Sequence, residues 1–181
     1  MARPHALAVG ASGMLAGACH GLAERGWQVT VVARDPRRLA AATGRAPHLW
    51  PVSCDYRDAA AFTAALAAAA RERGPLRLAL CWIRSTAPQA LAVVADSVAD
   101  GGRIVHALGS AGRNPSTLGS DVLRRQHRIR YQRVLLGFVV EQGRSRWLTD
   151  AEISAGALAA VDDPDTDPYV VGQVEPWSAH P

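Results

Sequence analysis

The sequence predicts a doubly wound α/β fold, a mostly parallel sheet of six to seven strands with helices on both faces. Three observations carry this. Short apolar, β-branched runs alternate with helix-compatible segments along the chain. Glycine- or proline-bearing turns separate them. One apolar run, Leu76 to Ile83, is continuous rather than alternating, the mark of a strand covered on both faces. Alternating strands and helices imply parallel pairing with right-handed crossovers.

His5 to Val9 is a short apolar strand, Gly10 to Gly13 a tight turn, and Met14 to Arg25 a helix carrying Leu15, Ala18, Cys19 and Leu22 on one face. Gly26 closes that helix and Gln28 to Ala33 reads as a β-branched strand, completing a β-α-β unit. Asp35-Pro36 starts a helix through Thr43, with Asp as N-cap and Pro at the first helical position. Trp50 to Cys54 is a third strand, alanine-rich Ala59 to Arg73 a helix by propensity, and Gly74-Pro75 stops it. Pro88 to Asp100 is expected to be a helix and Arg103 to Leu108 a fifth strand. Residues 116–128 are expected to be helical, and Tyr131 to Glu141 is expected to form one long strand. Thr149-Asp150-Ala151-Glu152 has capping-box spacing and opens a helix over 150–162. Tyr169 to Val174 is the candidate seventh strand. The chain is thus expected to form one domain over 1–181, with helix 150–162 and tail 163–181 packed on it.

The chain has 181 residues, 49% hydrophobic and 20% charged, and all 20 of its Lys-or-Arg residues are Arg. The absence of lysine excludes a Schiff-base amine, a P-loop lysine and a Tyr-x-x-x-Lys pair. A net charge of +4 spread along the chain in ones and twos fits a solvated surface better than a nucleic-acid interface. Cys19, Cys54 and Cys81 lie far apart without metal-ligand or C-x-x-C spacing, so no metal site is expected. With no long apolar run, no membrane association is expected, and a cytoplasmic protein is the default.

Gly10-Ala11-Ser12-Gly13-Met14-Leu15-Ala16 lies between the first strand and the first helix. Glycine there permits a tight turn and close main-chain approach, and the helix N-terminus offers N–H groups and partial positive charge to a pyrophosphate. Ala16, followed by Gly17, takes the usual third glycine position. At the end of the second strand, where an acidic residue would accept the adenosine ribose hydroxyls of NAD, stands Arg34, with Arg37 and Arg38 one turn on. Guanidinium forks suit a 2′-phosphate, which favours NADP (as NADPH) over NAD. Asp35 could instead face the ribose, but helix capping is its expected task.

On these residues, together with Asp55-Tyr56-Arg57-Asp58 after the third strand and Gly102-Arg103-Ile104-Val105-His106 in the fifth, the chain resembles the short-chain dehydrogenase/reductase superfamily. The form is shortened and atypical, and the resemblance runs from about His5 to Val140. It implies an NAD(P)-binding Rossmann fold, with Asp55 at the adenine amino group and Tyr56 lining the adenine pocket. Asp55 as a simple helix cap is the alternative, for which Asp58 is the better candidate. Ser110 matches the family's catalytic serine in position. The departures are Cys81-Trp82-Ile83-Arg84-Ser85-Thr86 in place of Asn-Asn-Ala-Gly, and Leu123 in place of the catalytic tyrosine.

The expected cofactor contacts are therefore Gly10, Ser12, Gly13, Met14, Leu15, Arg34, Arg38, Asp55, Tyr56, Trp82 and Gly137. The catalytic candidates are Ser110, Arg84 and Ser85, at strand mouths where ligands of such sheets bind. His106 is read as a satisfied core histidine and Tyr131 as a structural tyrosine. The expected activity is an NADPH-dependent reductase acting on a small carbonyl or imine. The alternative is a non-catalytic NAD(P)-binding sensor or scaffold. Trp147 is expected to act as a hydrophobic staple. The tail Val174 to Trp177 is expected either to cover the cofactor mouth or to pair with a second subunit in a homodimer.

Overall fold

The computed structural model describes residues 3–109, 114, 116, 123 and 128–181. A seven-stranded sheet has the order β3-β2-β1-β4-β5-β6-β9, and all its pairings are parallel. Its strands are β1 (His5–Val9), β2 (Gln28–Ala33), β3 (Leu49–Ser53), β4 (Leu76–Cys81), β5 (Val98–Leu108), β6 (Arg130–Leu136) and β9 (Tyr169–Val171). The order reverses between β1 and β4, and sheets of this kind bind ligands beyond the strand carboxyl ends at such a point.

Alternation along β1 shows how both faces are buried. Ala6 and Ala8 join one core with Ala18 and Leu22 of α1 (Ala16–Glu24), Leu39 of α2 (Pro36–Thr43), and Ile153 and Ala157 of α5 (Asp150–Asp162). Leu7 and Val9 point the other way, towards Phe62 and Leu66 of α3 (Ala59–Arg73) and Leu91 and Val94 of α4 (Pro88–Ser97). No helix among the described residues is long and apolar enough to cross a membrane.

Several expectations meet the structure with corrections. The expected strand Tyr131 to Glu141 is two strands, β6 and then β7 (Phe138–Glu141), which turns back on β8 (Arg144–Trp147) as an antiparallel hairpin. The break falls at Gly137, where a Cβ would sit 2.0 Å from the Gln173 carbonyl oxygen. The tail crosses there, and Phe138 and Gln173 exchange backbone hydrogen bonds of 2.9 Å. The hairpin turn is Gln142-Gly143, both with positive φ, a two-residue signature of the kind Asn-Gly makes more visibly. Helix α4 ends at Ser97 rather than Asp100, because β5 starts early and pairs through an irregular register around Gly101 and Gly102. The seventh strand stops at Val171 because Gly172, at φ 74°, turns the chain. The expected helix 116–128 lies almost wholly outside the described residues.

Trp147 is not the staple. Leu148 holds the N′ position of α5 and packs on the core that contains Ile153, whereas Trp147 is 42% exposed and sits 6.3 Å from the Trp177 ring and 5.8 Å from His180. The tail accordingly packs on its own chain's hairpin.

Candidate functional site

The loop from Gly10 to Leu15 lies at the carboxyl end of β1. Gly10 adopts φ 70°, its N–H donates to Val32 O at 3.0 Å, and a Cβ there would lie 2.4 Å from the Trp82 carbonyl oxygen. The turn is therefore clamped between β2 and the end of β4. Backbone N–H groups of Ser12, Gly13, Met14 and Leu15 donate to no described residue, and the first turn of α1 carries no acidic side chain. Undonated N–H groups at a helix start with no acidic neighbour suit an anion. From the neighbouring helix on the same face of the sheet, Ser154 of α5 donates to Met14 O at 2.7 Å. A Cβ on Gly17 would meet the Ser154 side chain at 3.0 Å, so Gly17 serves the α1 to α5 packing.

Arg34, Arg37 and Arg38 are exposed at the mouth of β2. Asp35 does not reach out to a ribose; its carboxylate accepts from the N–H groups of Arg37 at 2.9 Å and Arg38 at 3.2 Å, as the N-cap of α2. This fixes the first turn of α2 and returns Arg38 over the glycine loop. Its Nη2 lies 3.6 Å from where a Gly13 Cβ would be. At the mouth of β3, Asp58 caps α3 by accepting from Ala61 N at 3.0 Å. Asp55 is instead paired with Arg57, at 2.6 Å from Oδ2 to Nη2. The Arg57 hydrogen bonds hold its carboxyl at about 2. Tyr56 packs partly buried on the core beneath.

Past the switch point, Trp82 spans the mouths of three strands. Its N–H donates to Val9 O at 2.9 Å, its carbonyl faces Gly10, and its indole lies over Gly109, where a Cβ would meet Cη2 at 2.4 Å. Arg84 and Ser85 follow, both exposed. Ser110 lies outside the described residues. Gly137 stands at the end of β6, where the Gln173 backbone already fills the space a side chain would need. Leu123, at the position where the resemblance would put a catalytic tyrosine, is 5% exposed within the core.

His106 lies beneath this rim. Ile83 O can only accept, at 3.4 Å from Nε2, so Nε2 carries the proton and Nδ1 accepts from the Tyr131 hydroxyl at 2.8 Å. Burial pushes its pKa down to about 4, and a neutral, bonded histidine is a support for the β4 mouth rather than an acid. Sequence reasoning missed Ser154 and the neutralising role of Arg57. The first has no local signal; the second could have been read from the Asp-Tyr-Arg spacing.

No protein-family model and no curated protein matches the chain. Solved structures do match. A short-chain dehydrogenase/reductase from Serratia marcescens aligns with a TM-score of 0.67 over 94% of this chain and 96% of its own, at 18% identity. A citronellol catabolism dehydrogenase from Pseudomonas aeruginosa aligns at 0.70, with 93% and 92% covered and 19% identity. The chain has the short-chain dehydrogenase/reductase fold. An NADPH-dependent reductase involved in bacilysin biosynthesis shares that fold at a TM-score of 0.72, covering 96% and 99%, with 13% identity. At such identities the likeness is one of fold, and activity has to be argued from the site.

Proposed function

We propose that the protein is an NADPH-dependent reductase that transfers a hydride to a small carbonyl or imine substrate. The observation that carries this reading is the Arg38 guanidinium poised beside Gly13, 3.6 Å from the glycine's open side, above a loop with free N–H donors. A backbone cradle suits a pyrophosphate and a guanidinium suits a further phosphate, so the two together suit a phosphorylated dinucleotide.

In this reading Gly10 and Ser12 to Leu15 hold the pyrophosphate, Arg38 and Arg34 the 2′-phosphate, and the Asp55-Tyr56 rim the base. Trp82 provides the floor of the nicotinamide end, with Gly137 at its far side. NADPH bound there supplies the hydride. Arg84 and Ser85 orient the substrate at the β4 mouth, and the Ser110 hydroxyl orients or protonates the product heteroatom. The chain contains no lysine, so no ammonium group assists the proton transfer. A substrate that needs little protonation, such as an imine already carrying its proton, fits these residues best.

Calorimetric titration tests the cofactor, and NADPH oxidation across imines, aldehydes and enones tests the reaction. NADPH is expected to bind at least about tenfold tighter than NADH, with the difference lost in Arg38→Ala, since hydrogen bonds to charged groups contribute about 1.5–3 kcal/mol. Tighter NADH binding would overturn the cofactor assignment. Turnover of no substrate class would leave a dinucleotide-binding sensor in place of the enzyme.

A further inference from the structure

Asp55 follows β3, the sheet neighbour of β2, whose mouth carries Arg34 and Arg38. A free carboxylate there would accept a hydrogen bond from the exocyclic amino group of adenine. A carboxylate offers about four lone-pair positions, and three N–H groups of Arg57, with Nε–H shared between the oxygens, already engage both oxygens. Oδ1 accepts from the Arg57 backbone N–H at 3.0 Å and from Nε at 3.0 Å; Oδ2 accepts from Nε at 3.1 Å and from Nη2 at 2.6 Å. Donor and acceptor are two residues apart in one loop, so the contact closes with little chain entropy to overcome. Arg34 adds a second positive charge near the same carboxylate. Meanwhile Nη1 of Arg57 donates to no described residue, and the Arg57 side chain is 57% exposed. Both oxygens of this carboxylate are therefore already engaged by Arg57.

We propose, resting on the dinucleotide reading above, that Arg57 determines base specificity. By engaging both Asp55 oxygens it competes with a 6-amino group for the carboxylate, and the site takes 6-amino and 6-oxo purine dinucleotides alike.

The test is calorimetric binding of NADPH and of its hypoxanthine-containing deamino counterpart to the full chain. The wild-type dissociation constants are expected to agree within about threefold, well inside the net worth of one hydrogen bond to a charged group. In Arg57→Ala, Asp55 is released and NADPH is expected to bind about tenfold tighter than the deamino form. Because Asp58 and not Asp55 caps α3, this variant keeps its helix. Arg57→Gln, which cannot fork onto the carboxylate, is expected to show the same gain. A tenfold wild-type preference for NADPH, or variants that still bind both alike, would overturn the assignment of Arg57 alone. Failure of the wild type to bind either dinucleotide would overturn the reductase reading and this proposal together.

Discussion

Gly10 and Gly13 occupy the same turn and meet opposite surroundings. Gly10 combines φ 70° with a backbone carbonyl 2.4 Å from any added Cβ, whereas Gly13 has only the flexible end of Arg38 at 3.6 Å, an ordinary contact. Gly10→Ala is therefore expected to destabilise the fold by about 1–3 kcal/mol in urea unfolding, the usual cost of a side chain forced into the left-handed region. Gly13→Ala is expected to leave the unfolding midpoint unchanged while weakening NADPH binding about tenfold or more, because the methyl group stands where a phosphate would approach the backbone. The pair separates what the loop needs to fold from what it needs to bind. Both glycines were legible in the sequence, but only the neighbours across the sheet divide their tasks.

At the scale of elements, helix ends were the most legible features. Asp35, Asp58 and Thr149 cap α2, α3 and α5 as their spacing predicts, because a cap is made between a side chain and N–H groups two or three residues on. The Thr149 cap is reinforced: Glu152 accepts from Thr149 N at 2.8 Å, and Arg146 of β8 bridges Glu152 at 2.8 Å and Glu141 at 2.6 Å. Thr149→Ala is expected to cost about 1 kcal/mol of stability, read as a lower urea midpoint with an unchanged slope. The hairpin β7 and β8 was not legible. The apolar run Val134 to Val140 continues unbroken through Gly137, and only the Gln173 backbone lying against that glycine shows where the sheet strand must end.

Across the whole molecule, two buried histidines tie stability to pH. His5 donates from Nδ1 to Gly74 O at 2.8 Å and accepts at Nε2 from the Thr30 hydroxyl at 2.9 Å, which holds the amino ends of β1 and β2 against the end of α3. Burial lowers the pKa of His5, and that of His106 to about 4. Both folded values lie below the unfolded 6.5, so the unfolded chain binds more protons once the pH drops beneath it. Stability is then complete above about pH 6.5 and declines as the pH falls towards 4, by about 3 kcal/mol for His106 alone. Urea unfolding at a series of pH values measures this slope, and His106→Gln, which keeps a neutral donor and acceptor, is expected to flatten it. Glu152, lowered to about 2 by Arg146, loses its contribution in a separate, more acidic window that begins below its ordinary 4.5.

The sequence by itself determined the β and α alternation, the glycine loop, the caps, the arginines at the β2 mouth and the absence of lysine. These rest on hydrophobic period, backbone sterics and side-chain reach, all of which act over a few residues. Tertiary structure decided that Trp82 crosses from Gly10 to Gly109, that Ser154 of the last helix holds the first loop, that Leu123 is a core residue, and that the tail ends β6 at Gly137. Each of these depends on which distant segment fills the space beside a residue, and close packing settles that only when the whole sheet and both helical layers are assembled.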